Sequence, residues 1–164
     1  MADHPKLAAL KKLTTLLEGI TIADGYSVDL AGKVFRGRMV FGDDDPVTMV
    51  SFIEQPVQDY GEMVGANQGR AYEFGVILQG FTTDDPLNPS DPMYEMSKDI
   101  EARLSMISEQ AKNGQPVYPD IYLLNGTINT FKFSPGIVRP PDGNVSKRAL
   151  LYMPIRIGLA SRVG

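Results

Sequence analysis

Two arginines, Arg36 and Arg38, run into three consecutive aspartates, Asp43, Asp44 and Asp45, within DLAGKVFRGRMVFGDDDP over 29–46. Aspartate oxygens suit a hard divalent cation, and a metal held there would serve a small hydrolase. Consecutive residues of an extended chain point apart, however, and the ligand spacing of an EF-hand loop is missing. The plainer expectation is a charged turn, because Gly42, the aspartates and Pro46 all carry turn chemistry.

The arginines could touch phosphate, pair with carboxylates across an interface, or face water. The chain has 16 basic and 20 acidic residues, a net charge of −4. A net acidic surface opposes broad nucleic-acid binding, which rests largely on phosphate neutralisation. Contact with another protein therefore ranks first, a solvated face second and nucleic acid third.

Other chemistry is sparsely supplied. His4 is the only histidine and there is no cysteine. A Ser-His-Asp mechanism would have to be built on a residue in the first turn of the first helix. Neither a phosphate-cradling G-x-x-x-x-G-K-[ST] nor a G-x-G-x-x-G occurs. No set of acids, bases or ligands converges, so no catalytic, metal or cofactor-binding residue is assigned, and no cofactor is expected. The residues singled out as interface candidates are Arg36, Arg38, Asp43, Asp44, Asp45, Asp84 and Asp85.

The elements that must position these residues read as follows. ADHPKLAALKKLTTLLEGI predicts an amphipathic helix capped by Asp3, with Pro5 in its first turn. Leu7, Leu10, Leu13 and Leu17 form its apolar stripe, and Gly19 stops it. KVFRGRMVF predicts a strand with Phe35, Met39 and Phe41 on one face and Val34, Arg36, Arg38 and Val40 on the other. With VTMVSFIE it makes a hairpin over 33–54. A long connection, 55–70, leads to AYEFGVILQGF, a strand with Tyr72, Phe74, Val76 and Leu78 on one face.

A loop holding Asp84 and Asp85 precedes a second helix, capped by Asp91 with Pro92 at its first position. Met93, Met96, Ile100, Leu104, Ile107 and Ala111 step along it, Asp99 and Arg103 pair on its wet side, and Gly114 ends it. DIYLLNGTINTFKF predicts a strand pair about an Asn-Gly turn. SPGIVRPPDGNVSK reads as loop. RALLYMPIRIGLA is a last strand with Leu151, Met153, Ile155, Ile157 and Leu159 on one face. Pro154 cannot donate to a ladder and places this strand at an edge.

Helix, strands, helix, strands in 164 residues predict one α+β domain over 1–164. Its antiparallel or mixed sheet is flanked by two helices in two layers. No apolar run approaches the ~20 residues that span a bilayer. The N-terminus lacks a signal-peptide pattern, so a cytosolic product without a membrane partner is expected.

The leucine helix, GYSVDLAGKVFRGRMVFGDDDP, the VSFIEQP strand and YEFGVILQGFTTDDPLNPSDPMYEMSKDIEARL together resemble the tail terminator, or tail completion, proteins of tailed bacteriophages. The likeness covers about residues 5 to 110. It implies a helix-flanked sheet and a homo-hexameric ring made in the bacterial cytoplasm and carried in the virion neck. The ring would cap the tail tube protein, stop its growth and offer a surface to the head-tail connector protein. DNA would pass through its hole without specific binding. The loops 55–70 and 82–91 would face other rings. A neighbouring neck component, a metal enzyme on Asp43–Asp45 and a nucleic-acid module on Arg36 and Arg38 stand as alternatives.

Overall fold

The computed structural model describes residues 3–39, 45–55, 70–83, 87–141 and 148–161. Its frame is a pair of antiparallel strands, β3 (Arg70–Thr82) and β6 (Ala149–Ser161), in register along thirteen residues each. β2 (Met49–Glu54) pairs antiparallel with β3, and β1 (Val34–Arg36) lies parallel on the outer side of β2. β4 (Thr130–Phe133) and β5 (Ile137–Arg139) both pair with β6, at successive positions along it. The result is a six-stranded mixed sheet of order β1-β2-β3-β6-β4, with β5 also on β6. Helices α1 (Pro5–Glu18) and α2 (Asp91–Ser105) pack on one face of it. The fold is α+β, as the order of elements predicts.

Period-two alternation builds the sheet side of the core. Leu151, Met153, Ile155, Ile157 and Leu159 of β6 are buried with Phe74, Val76 and Leu78 of β3. The 3.6-residue period builds the other layer from Met93, Met96, Ile100 and Leu104 of α2, with Ile107 just beyond it. Burying side chains of this size removes about 1.5–3 kcal/mol each from water exposure. On α1 the buried stripe is Ala9, Leu13, Leu16 and Leu17, whereas Leu7 is exposed and Leu10 half-buried. The helix is rotated from the stripe that leucine spacing alone predicts, because small Ala9 lets the backbone approach the core.

The helix ends differ in detail. His4, not Asp3, caps α1, its Nδ1 accepting from the Lys6 N–H at 3.1 Å, while Asp3 pairs with Lys11. α2 is flanked by Ser90, and no side chain caps it; Asp91 is its first residue. It stops at Ser105 rather than running to Gly114, and Ala111 is exposed. Asp99 and Arg103 do not pair in water. Asp99 is 4% exposed and accepts the Ser27 N–H at 2.8 Å. Arg103 donates Nε–H to the Leu16 carbonyl at 2.8 Å. Two polar side chains thus tie α2 to the loop after α1 and to the last turn of α1.

The expected 33–54 hairpin is a parallel pair. Gly37 has φ +76°, a conformation that an L residue adopts at a cost, and it ends β1 after three residues. The chain then uses 37–48, a dozen residues, to return to the same end of the sheet. That is the length a parallel crossover needs. Of the two faces, Val34 is buried, Phe35 half-buried and Met39 69% exposed.

β6 is central, not an edge, despite Pro154. The Pro154 carbonyl accepts the Ser134 N–H at 3.0 Å, so its ring nitrogen faces the same flank. On that flank β4 ends at Phe133 and β5 starts at Ile137, leaving 134–136 between them. The missing N–H falls in the break, so no ladder bond is lost.

The Asn-Gly pair does adopt positive φ, but no strand precedes it. Leu123, Leu124, Asn125 and Gly126 (α3, Leu123–Gly126) have φ of 49°, 52°, 56° and 77°, a left-handed turn. Such backbone costs about 1–2 kcal/mol for each residue other than glycine. Burial of Leu124 offsets part of this, as does the Leu123 N–H bond to the Ile107 carbonyl at 2.9 Å. Part of the expected 134–147 loop is β5.

Candidate interaction surfaces

Arg36 and Arg38 sit on opposite sides of the sheet. Arg36 ends β1 on the helix side and donates from Nη1 to Thr14 Oγ1 of α1 at 2.9 Å. It is exposed, and among the described residues it has no carboxylate partner. The turn at Gly37 sends Arg38 the other way. Its guanidinium lies over the Phe35 ring, 4.6 Å from the centroid, and its Nη2 meets Asp45 Oδ1 at 2.7 Å. Its backbone N–H donates to Ser51 Oγ at 3.1 Å. Arg38 and Asp45 therefore meet within one chain. Asp43, Asp44, Asp84 and Asp85 lie outside the described residues, as do the loop interiors 56–69 and 84–86. Among the described residues no group of three or more His, Asp or Glu side chains is placed to hold a metal.

Two other surfaces stand out. The first is the face of the sheet opposite the helices. Register and alternation put Phe35, Ile53, Ile77, Tyr152 and Pro154 on it, all half-buried, with Ile137 59% exposed at its β5 side. Gln79 sits among them, its Oε1 buried without a hydrogen-bond donor. Basic residues flank the apolar band. Lys132 of β4 and Arg156 of β6 are directly opposite each other, and both are exposed. Arg139 of β5 lies at the far side, opposite Leu150. Six residues of β6 separate Leu150 from Arg156, about 20 Å of strand. Like charges opposite one another on neighbouring strands oppose pairing. Glu73 relieves this little, its Oε2 standing 4.0 Å from Arg156 Nη1.

The second surface is a groove of about 470 Å³ between the start of α2, the loop 22–29 and the adjoining ends of β2 and β3. Ser27, Asp29, Lys33, Thr48, Thr82 and Glu95 line it, and Thr48 and Thr82 share a hydrogen bond of 3.0 Å. Of its charged lining residues, Asp29 and Glu95 are exposed and Lys33 is half-buried. Ile22, 59% exposed, is also part of its lining. Glu95 bonds Lys98 Nζ at 2.7 Å, and this pair holds the Glu95 carboxyl below its ordinary range and the Lys98 ammonium above its own. Asp29 Oδ1 accepts the Ile22 N–H at 2.7 Å.

The interface candidates drawn from sequence held Arg38 and Asp45 as charges for contact with a neighbouring copy, whereas the structure pairs them within one chain, and they did not include Lys132, Arg139 or Arg156. Their signal was present in TFKF, IVR and IRI, where alternation sets the basic residue opposite the buried one. The groove carried no comparable signal, because its walls come from segments distant in sequence. Among the described residues, no helix is long and apolar enough to cross a membrane. Compared with known proteins, the chain matches no family model and no curated sequence.

Proposed function

We propose that this protein is a ring-forming tail terminator of a tailed bacteriophage. It would cap the tail tube, stop its polymerisation and present the surface that joins the head. The observation that carries this reading is the resemblance of about residues 5 to 110 to that family. The likeness implies a helix-flanked antiparallel sheet, and the chain folds as a helix-flanked sheet that is antiparallel but for the β1–β2 pair, which supports it. So do the two flanks of the sheet, both ending in short strands, β1 with three residues and β4 and β5 with four and three. Short edges leave little backbone to aggregate on while side-chain surfaces direct association.

In this role the partners are further copies of the chain, the tube protein and the head-tail connector. DNA passes through the ring, and the protein resides in the virion neck after assembly in the bacterial cytoplasm. No bond is made or broken. The work is geometric: a closed ring on the last tube disc leaves no surface for the next disc.

Light scattering on the purified chain, alone and with tube protein, tests this. Six copies of an 18.0 kDa chain give about 108 kDa. The expected result is that mass, together with tails of unregulated length in particles lacking the protein. Monomer under every condition, or normal tails joined to heads without it, would overturn the proposal. Capture of the connector but never the tube would place the protein elsewhere in the neck.

A further inference from the structure

We infer that residues 120–131 are a two-state element. In one state Leu123–Gly126 form the left-handed turn; in the other, residues 120–124 become a strand that pairs along the outer edge of β4. The switch is independent of the ring reading.

Leu123, Leu124 and Asn125 have φ of 49°, 52° and 56° in succession. An L residue adopts each of these at a cost, least for asparagine. Backbone strain of this kind gathers at switch regions. Here it is unequally placed. Asn125 and Gly126, the latter with φ 77°, already have the positive φ that both central residues of a type I′ hairpin turn require. Only Leu123 and Leu124 would have to move, from left-handed to extended backbone, a region open to both without strain.

The edge that would receive the strand is free. The sheet order ends at β4, and among the described residues no strand lies beyond it. The Ser134 N–H bonds the Pro154 carbonyl at 3.0 Å. With Lys132 opposite Arg156, Thr130 and Lys132 therefore turn their backbone groups to β6, and Phe131 and Phe133 turn theirs outward. A two-residue turn at Asn125 and Gly126 sets the partners of the new strand. Leu124 with Thr127, Tyr122 with Asn129, and Asp120 with Phe131 would exchange hydrogen bonds. The phase matches, because Phe131 already faces outward. The side chains agree as well. Tyr122 and Leu124 would share a face with Phe131, which lies opposite Ile157 on the helix side. Leu124, now 4% exposed, stays on that side.

A few bonds hold the turn. The Leu123 N–H donates to the Ile107 carbonyl at 2.9 Å, and the Ile128 N–H to the Leu123 carbonyl at 3.2 Å. Lys12 Nζ bonds the Leu124 carbonyl at 3.2 Å, and Gln110 Nε2 donates to Tyr122 Oη at 2.8 Å. The hairpin gives these up, together with the Asn129 N–H bond to the Gly158 carbonyl. It gains ladder bonds on β4 and sheds the strain at both leucines. With the turn formed, the edge of β4 is open to a strand from another chain; with the hairpin formed, it is covered. The element thus gates that edge.

NMR on the full chain tests this. Leu123→Val is the main variant, because a β-branched side chain opposes positive φ and favours a strand. Leu123→Gly is its opposite, relieving the turn and weakening the strand. Wild type should show left-handed carbon shifts at Leu123 in its major state and exchange broadening confined to 120–131. Leu123→Val should move the ratio at least about tenfold towards the hairpin, the factor that the cost of one left-handed residue sets. It should also show the Hα–Hα contact between Ile121 and Thr130 that marks a non-hydrogen-bonded antiparallel pair. Leu123→Gly should remove the exchange. Gly126→Ala, strained in both states, should lower stability without moving the ratio. Should Leu123→Val fail to fold, Lys12→Met replaces it. Lys12 is exposed, and its loss takes only the bond to the Leu124 carbonyl, moving the ratio severalfold the same way. Left-handed shifts at Leu123 in both variants, with no exchange and no contact between Ile121 and Thr130, would overturn the switch.

Discussion

The two faces of one sheet put the same strands to different uses. On the helix side, Leu78, Val76, Met153, Ile155 and Ile157 have no exposure at all. On the other side, one residue along each strand, Ile77, Tyr152 and Pro154 keep part of their surface in water, and Arg156 is exposed. The difference teaches that strand residues here are not uniformly devoted to stability. One face closes the helix-side core; the other buries Met49, Ser51 and Leu150 but leaves Ile77, Tyr152 and Pro154 partly in water. Exposed apolar area with charged margins is what an association surface retains in a free subunit.

Truncation on each face breaks or sharpens this comparison most strongly. Ile155→Ala removes three carbons from a site with no exposure, facing α2 and Val76 across the ladder. The expected loss is about 2–5 kcal/mol in urea unfolding, transfer and cavity terms together. Ile77→Ala, across the ladder from Pro154 on the open face, should cost about 1 kcal/mol, because the side chain is only half-buried. Equal losses would mean that both faces are core. The same Ile77→Ala change should weaken self-association, whereas Ile155→Ala should alter it only through stability.

A smaller effect is expected where α2 is tied down by polar groups. Asp99→Ala leaves the Ser27 N–H without its carboxylate inside a nearly closed site. The expected cost is about 1.5–3 kcal/mol, as for hydrogen bonds to charged groups. Asp99→Asn keeps an acceptor oxygen and should recover part of it. Thermal melts of the pair give the answer; equal stability of Asp99→Ala and wild type would show that the loop 22–29 is held by packing alone. That loop also forms one wall of the groove, so Asp99 links helix-side packing to the groove.

Much of this architecture was legible in sequence because it depends on local period. The five-residue apolar alternation of β6, the matching face of β3 and the stripe Met93 to Ile107 each follow from side-chain direction within one element. What failed depended on relations between elements. Pro154 argues for an edge if only its own strand is considered. The break between β4 and β5 that accommodates it is built by residues twenty positions away. The β1–β2 pair reads as a hairpin from its aspartate-rich connection, yet Gly37 stops β1 early and the remaining dozen residues suffice for a crossover. Asp99 was placed in water by its charge; one hydrogen bond to Ser27 keeps it inside. The interface candidates fared likewise: Arg38 and Asp45 were found as charges, but the side of the sheet on which each arginine lies was set by the turn at Gly37.

The smallest effect concerns the charges around the groove. Glu95 and Lys98 are one turn apart on exposed α2 and bond directly. The Lys98 hydrogen bond, then its charge, lowers the Glu95 carboxyl from its ordinary value, while the same partner raises Lys98. A carboxyl lowered in the folded state contributes stability above its unfolded value, lost as pH falls through the folded one. The raised ammonium contributes below its unfolded value and loses that contribution as pH rises through the folded one. The pair is therefore fully present at neutral pH and weakened at both extremes. Carbon-detected NMR titration should place Glu95 below an unpaired exposed glutamate, and Lys98→Met should return it to the ordinary range.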